Sequence, residues 1–203
     1  MKTKTKFVYL ISPNKIYPNF YSDLTSVLRT NKVKYFQLRL KNTPQKKIEI
    51  ISKKLKKICK TFNVKLLIND SPLIAKRVKA DGCHLGQNDM DIKKARILLK
   101  NKIIGITCNN SIKKAKEALN NKADYIALGA FNSSTTKKVK FKATIKDLKK
   151  IRILSNKPII AIGGINQYNY KKLLLNKADF LAISSFIWKN KKLKPVEAIN
   201  RLK

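Results

Sequence analysis

Short apolar runs of β-branched and aromatic residues recur along the chain, separated by longer polar stretches with a helical spacing of apolar positions. The runs are Phe7–Ser12, Tyr35–Leu38, Lys65–Ile68, Gly82–Leu85, Ile103–Ile106, Tyr125–Gly129, Ile159–Ile162 and Phe180–Ser184. Each is short enough to be a strand buried on both faces. Between them, Ile48, Ile51, Leu55 and Ile58 follow the three-and-four spacing of an amphipathic helix, and Ile145, Leu148, Ile151 and Ile153 do so less regularly. Strands alternating with helices predict βαβ units and a parallel sheet. A weak internal repeat supports this. Lys-Ala-Asp precedes the fourth, sixth and eighth runs, at Lys79–Asp81, Lys122–Asp124 and Lys177–Asp179. Three aspartates just ahead of apolar strands read as turn and capping groups.

Eight such units in 203 residues predict a single-domain (β/α)8 barrel spanning 1–203, at the lower size limit of that fold. An open doubly wound sheet is the rival. Its dinucleotide-binding form is disfavoured, because no G-x-G-x-x-G follows the first strand.

Composition then narrows the class. An apolar fraction of 43% is too high for a disordered basic tail, and no run approaches a membrane span. The short stretch Phe7–Ile11 is stopped by Pro13-Asn14-Lys15, which argues against a secretory signal. Three cysteines, Cys59, Cys83 and Cys108, without a C-x-x-C, fit a reduced cytoplasmic protein with neither structural zinc nor a disulfide framework. The net charge is +36, yet 41 of the 47 basic residues are Lys and they are spread through every segment. That dispersal reads as a solvated basic surface rather than a nucleic-acid interface, which concentrates its charge and uses Arg and aromatic readers.

In a parallel barrel the C-terminal strand ends share one face, and the chemistry sits there. Seven of the eight runs end in groups suited to anions or a hard metal. Gln37 to Lys41, Asn69-Asp70, Gly86 to Asp89, Thr107, Ser133 to Lys137, Gly163-Gly164 and Ser184-Ser185 follow the second to eighth runs. Only 11 residues are acidic, and two of them, Asp70 and Asp89, stand just beyond neighbouring strands. Mg²⁺ needs one or two carboxylates besides phosphate oxygens and water. Arg39 and Lys41 share one face of a strand and suit an oxyanion. The glycine pair lets backbone N–H groups approach a phosphate, at the loops where this fold commonly binds one. His84, the one histidine, lies inside an apolar run and reads as a core residue. Cys83 and Cys108 read as buried thiols, and Phe186 and Trp188 as packing.

The segments QLRLK (Gln37–Lys41), LLINDSPLIAKRVKADGCHLGQND (Leu66–Asp89), IIGIT (Ile103–Thr107), DYIALGAFNSSTTKK (Asp124–Lys138) and IIAIGGIN (Ile159–Asn166) resemble the thiamine phosphate synthase family. The resemblance runs from about Tyr9 to Trp188 and carries the barrel fold with it. It implies that an aminopyrimidine methyl diphosphate loses pyrophosphate while a thiazole phosphate nitrogen is alkylated. It places Gln37, Leu38, Arg39, Leu40, Lys41, Asn69, Thr107 and Lys137 on the pyrimidine diphosphate. Arg39, Lys41, Lys137 and Thr107 would carry the catalysis. Asp70 and Asp89 would hold Mg²⁺, and Ser134, Thr135, Thr136, Gly164, Ser184 and Ser185 the thiazole phosphate.

Departures from the family pattern are Ser133-Ser134, where Pro-Thr is usual, Thr107 for a common Ser, and Asn109 for a frequent His. The last argues against the related thiazole tautomerases. A tautomerase-like or other phosphate-binding barrel isomerase is the alternative, and a nucleic-acid-binding protein a weaker one. The expected partners are phosphorylated small molecules, with no membrane and no specific nucleic acid; self-association is left open.

Overall fold

The computed structural model describes residues 6–133 and 141–203. Eight parallel strands, each paired with its sequence neighbours, close into a barrel through β1 and β8. The strands are β1 (Val8–Ile11), β2 (Val33–Leu38), β3 (Lys65–Asn69), β4 (Gly82–Leu85), β5 (Ile103–Asn109), β6 (Tyr125–Gly129), β7 (Ile159–Ile162) and β8 (Phe180–Ile183). Around them lie α1 (Phe20–Arg29), α2 (Gln45–Thr61), α3 (Pro72–Arg77), α4 (Ile92–Leu99), α5 (Ile112–Asn120), α6 (Ile145–Leu154), α7 (Tyr170–Leu175), α8 (Ser185–Trp188) and α9 (Pro195–Asn200). The expected (β/α)8 barrel is the observed fold.

The pleat divides the core into two layers. Alternate strand residues Tyr9, Ile11, Leu67, Tyr125, Ala127, Ile160, Phe180 and Ala182 fill the barrel interior. Their neighbours, such as Val8, Leu10, Phe36, Leu66, Ile104 and Leu181, face outward and pack beneath the helices. Gly105 makes room inside. A Cβ there would lie 1.8 Å from the Tyr125 ring, so the bulky ring and the missing side chain are one packing decision.

Helix faces follow the apolar spacing. Ile51, Leu55 and Cys59 are buried on α2, with Ile48 and Ile58 at the margin. On α6, Leu148 and Ile151 are buried but Ile153 is 85% exposed, a correction to the apolar stripe read from the sequence. Two residues beyond Ile151 is about 200° around a helix, so Ile153 points away from the barrel.

The N-terminal rim is held by a repeated device. Asp81, Asp124 and Asp179 accept from the backbone N–H of Leu66, Ile104 and Ile159, at 2.8–2.9 Å, each on the preceding strand. The lysine two residues before each lies in the left-handed region, with φ of 52°, 63° and 77° at Lys79, Lys122 and Lys177. This is the backbone reversal that ends a helix before the next strand. Arg96 of α4 meets Asp124 at 2.7 Å and also donates to the Lys122 carbonyl. Arg152 of α6 repeats both contacts at Asp179 and Lys177. Lys65 stands 3.5 Å from Asp81 as a weaker version. The turn and cap reading of these aspartates is what the structure holds.

Candidate active site

At the opposite rim, the strand ends surround a cleft of about 700 Å³. Gln37, Arg39, Lys41, Asn69, Asp70, Asp89, Thr107, Gly164, Ser184 and Ser185 all line it. Eight strands converge there, which is why residues from Gln37 to Ser185 share one space. Leu38 and Leu40 do not line it. Leu38 is buried beneath the helices and Leu40 packs against the same layer. The pleat sends alternate residues to opposite faces, so Gln37, Arg39 and Lys41 reach the cleft together. Ser134, Thr135, Thr136 and Lys137 lie outside the described residues.

Charge is distributed in a definite order. The Lys41 ammonium is paired with a carboxylate oxygen of Asp70. Asp70 begins the loop after β3 with φ 64°, a conformation that aspartate tolerates better than most residues. Asp89 accepts the backbone N–H of Gly86 across its own loop. Burial pushes the Asp89 carboxyl above its ordinary value, and the neighbouring Asp70 carboxyl adds to the rise. Two carboxyls held side by side in a partly desolvated cleft repel each other, and Lys41 and the Gly86 N–H offset this only in part. Among the described residues no cluster of three or more His, Cys, Asp or Glu exists. The cation paired with Asp70 is Lys41, which is half exposed.

Arg39 reaches the Asn14 amide oxygen at 2.9 Å, while its backbone N–H donates to Ser12 Oγ. Gln37 donates to Asn69 Oδ1 at 2.6 Å, so the two amides fix each other's orientation. Ser184 donates to the Ser12 carbonyl at 3.2 Å, tying the end of β8 to the end of β1.

Gly163 and Gly164 have φ of 109° and 56°. A Cβ on Gly164 would lie 2.2 Å from the Ser133 carbonyl, and one on Gly163 2.5 Å from Ala130 Cβ. Glycine is therefore required here by the backbone and by the loop after β6, as well as being suited to a phosphate.

Some contributors were read from the sequence in other terms, or not at all. Gln87 donates to the Thr107 carbonyl, and Asn14 holds Arg39. Lys114 of α5 lines the cleft as a further cation, and Asn109 joins it with φ 55°. His84 is 8% exposed and hydrogen-bonded, as a core histidine should be, yet it also lines the cleft floor. Its Nε2 lies 2.8 Å from Thr107 Oγ1 and its Nδ1 2.8 Å from the Tyr125 hydroxyl. Burial, reinforced by the Arg39 charge and opposed by Asp70, lowers its pKa to about 4, so the ring is neutral near pH 7. Cys83 and Cys108 are buried and pushed up to about 12, inert as thiols. Trp188 packs on Phe20 at 5.3 Å and donates to the Ile11 carbonyl at 2.6 Å.

Fold and cleft define an enzyme of the (β/α)8 class, with cations, amides and a carboxylate pair at the C-terminal rim. A family model described as thiamine monophosphate synthase matches residues 8–187. The thiamine-phosphate synthase of Pelagibacter ubique is 61% identical over 203 residues, covering 100% of this chain and 98% of that protein. That of Clostridium perfringens strain 13 is 35% identical, covering 89% of this chain and 87% of its own. Among solved structures, a thiamine phosphate pyrophosphorylase from Pyrococcus furiosus superposes with a TM-score of 0.85 at 28% identity, covering 98% and 94% of the two chains. A 3-hexulose-6-phosphate synthase from Salmonella typhimurium, at 15% identity and a TM-score of 0.70, shares the fold. The chain belongs to the thiamine monophosphate synthase family. It is an enzyme, a transferase of the thiamine-phosphate synthase type.

Proposed function

We propose that this cleft joins an aminopyrimidine methyl diphosphate to a thiazole phosphate, giving thiamine phosphate and pyrophosphate. The observation that carries the reading is the Lys41–Asp70 pair beside Asp89 and Arg39, a set of cations next to two crowded carboxyls. A divalent cation held by Asp70 and Asp89 would offset the burial, and the lesser Asp70 repulsion, that raise the Asp89 pKa. Two carboxylates suit Mg²⁺, which completes its shell with phosphate oxygens and water. Held there by Asp70 and Asp89, Mg²⁺ would supply charge stabilisation for the departing pyrophosphate.

The chain's own residues do the rest. Arg39 and Lys41, joined by Lys137 and Thr107, grip the diphosphate and stabilise negative charge as the methylene C–O bond breaks. Both bonding electrons leave with the pyrophosphate. The methylene cation is stabilised by the aminopyrimidine ring, which Gln37 and Asn69 orient. The thiazole nitrogen lone pair then forms the C–N bond and becomes the thiazolium. Ser134, Thr135, Thr136, Gly164, Ser184 and Ser185 hold the thiazole phosphate so that this nitrogen faces the cation. No general base is needed, in keeping with a cleft whose one imidazole is a hydrogen-bonded part of its floor. Free buried thiols and phosphorylated substrates agree with a cytoplasmic enzyme. No helix among the described residues is long and apolar enough to cross a membrane.

The test is to incubate the purified protein with both substrates and Mg²⁺ and measure both products, with and without EDTA. Stoichiometric, EDTA-sensitive formation of thiamine phosphate and pyrophosphate is expected. A folded protein that makes neither would overturn the reading.

A further inference from the structure

A chain of hydrogen bonds runs through the barrel interior to the cleft. Tyr9 OH lies 2.8 Å from Tyr125 OH, Tyr125 OH 2.8 Å from His84 Nδ1, and His84 Nε2 2.8 Å from Thr107 Oγ1. Tyr9 and Tyr125 are 2% and 1% exposed, and both hydroxyls are held far above their ordinary pKa by burial, so both keep their protons. Among the described residues Tyr9 OH meets no other hydrogen-bond partner than Tyr125.

The direction of the chain follows from counting protons. Each phenol carries one hydrogen and the neutral imidazole one. Suppose Tyr125 donated to Tyr9: the Tyr9 proton would then be buried without a protein acceptor. Suppose instead that His84 Nδ1–H donated to a Tyr125 oxygen already accepting from Tyr9: the Tyr125 proton would be orphaned. Only one arrangement gives every buried donor a protein acceptor. In it Tyr9 donates to Tyr125, Tyr125 donates to Nδ1, and the imidazole proton sits on Nε2 and points at Thr107 Oγ1. Thr107 then accepts inside the protein, and its own hydroxyl proton is free to be donated into the cleft.

We propose that Tyr9, Tyr125 and His84 are positioning residues that fix the polarity of Thr107, presenting it as a hydrogen-bond donor to an anionic substrate oxygen. The reversed chain would present only lone pairs there and repel a phosphate. The purpose of the device rests on the proposed placement of the diphosphate beside Thr107; the polarity itself does not. Packing supports a fixed arrangement. The His84 ring stacks on Tyr125 with centroids 5.7 Å apart and planes 15° apart, and Tyr9 and Tyr35 close round them. Gly105 is what lets Tyr125 reach this position.

With a single histidine in the chain, the tautomer can be read without ambiguity. In full-length protein carrying ¹⁵N-imidazole histidine, two-bond correlations from the ring carbon-bound protons should show Nε2 protonated and Nδ1 bare at neutral pH. A protonated Nδ1 overturns the relay, and needs no variant to do so. Function is read by a double-mutant cycle on kcat/KM for the pyrimidine diphosphate. Thr107→Val should cost about tenfold or more, the loss of a hydrogen bond to a charged group, and Thr107→Ser should restore most of it. His84→Leu should cost a similar factor in the Thr107 background and little further in Thr107→Val, whereas a purely structural role would give additive losses. Additive losses overturn the positioning role. Nε2 protonation combined with a fully efficient Thr107→Val enzyme overturns instead the placement of the diphosphate at Thr107.

Discussion

The two rims of this barrel use the same residue types to opposite ends. At the N-terminal rim, Asp124 accepts from a strand N–H and from Arg96, whose two terminal amino groups also bind the Lys100, Lys102 and Lys122 carbonyls, leaving the buried Nε–H as the one guanidinium donor without a protein partner among the described residues. Asp179 and Arg152 repeat the pattern with the Ser155, Lys157 and Lys177 carbonyls. At the C-terminal rim, Asp70 and Asp89 crowd each other, and one lysine, half exposed, answers for both. A carboxylate surrounded by donors is already satisfied and can only hold the fold. One left short of donors, beside another of its kind, is open to a ligand that brings positive charge. The comparison teaches that function lies where local electrostatics is incomplete, and stability where it is closed.

The sharpest way to break this division is at the crowded rim. Asp89→Asn keeps an oxygen for the Gly86 N–H but removes the charge, and should lower turnover by about 10²–10³-fold, the scale of losing a positioned electrostatic group. Its melting temperature should hold or rise, since the cost of burying the charge and its repulsion with Asp70 are both removed. A large fall in melting temperature with turnover intact would place Asp89 among the stability groups. Lys41→Met should follow with a loss of about 10-fold or more in kcat/KM for the diphosphate, again with little thermal effect, as exposed ion pairs contribute about 1 kcal/mol or less.

At the closed rim the expected signs reverse. Asp124→Ala leaves Arg96 without its carboxylate and should cost about 1–2 kcal/mol. That is a drop of roughly 2–8 °C in melting temperature for a domain of this size. Activity per folded molecule should be unchanged; an inactive but stable Asp124→Ala protein would refute the division. Smallest of all is Lys122→Gly. The lysine sits at φ 63°, where glycine avoids the Cβ clash, while its carbonyl still serves Arg96. A gain of about 0.5 kcal/mol is expected, measurable by urea titration, with no change in rate.

Much of this was legible in the sequence because the fold repeats. Each strand is a short β-rich run bracketed by a turn, and three of the turns carry one Lys-Ala-Asp signature. The gathering of Arg39, Asp70, Asp89 and Thr107 followed from strand ends sharing a face. Contiguity misled in one place. The segment Gln37–Lys41 carries the resemblance as five residues, but only alternate ones face the cleft, so Leu38 and Leu40 serve the core. Ile153 misled likewise, apolar yet on the wet side of α6. The Tyr9–Tyr125–His84 chain was out of reach. Its members lie 116 and 41 residues apart, and nothing in one strand announces which residue will meet it across a barrel. The Gln87 and Asn14 contacts depend in the same way on loop conformations that no periodicity encodes.

Closure of the sheet through β1 and β8 has a consequence for how the chain is made. Val8, Tyr9 and Leu10 find partners in β2 early, but their other edge is met only by Leu181, Ala182 and Ile183. During synthesis every residue through Ile183 must leave the ribosome before that seam can form. Until then the nascent sheet carries an open, largely apolar strand on its leading side, the kind of edge that invites pairing with other chains. The dispersed lysines put a dense positive charge on every such unfinished molecule. Like-charged chains repel, so that charge opposes contact between unfinished copies before their last strand pairs.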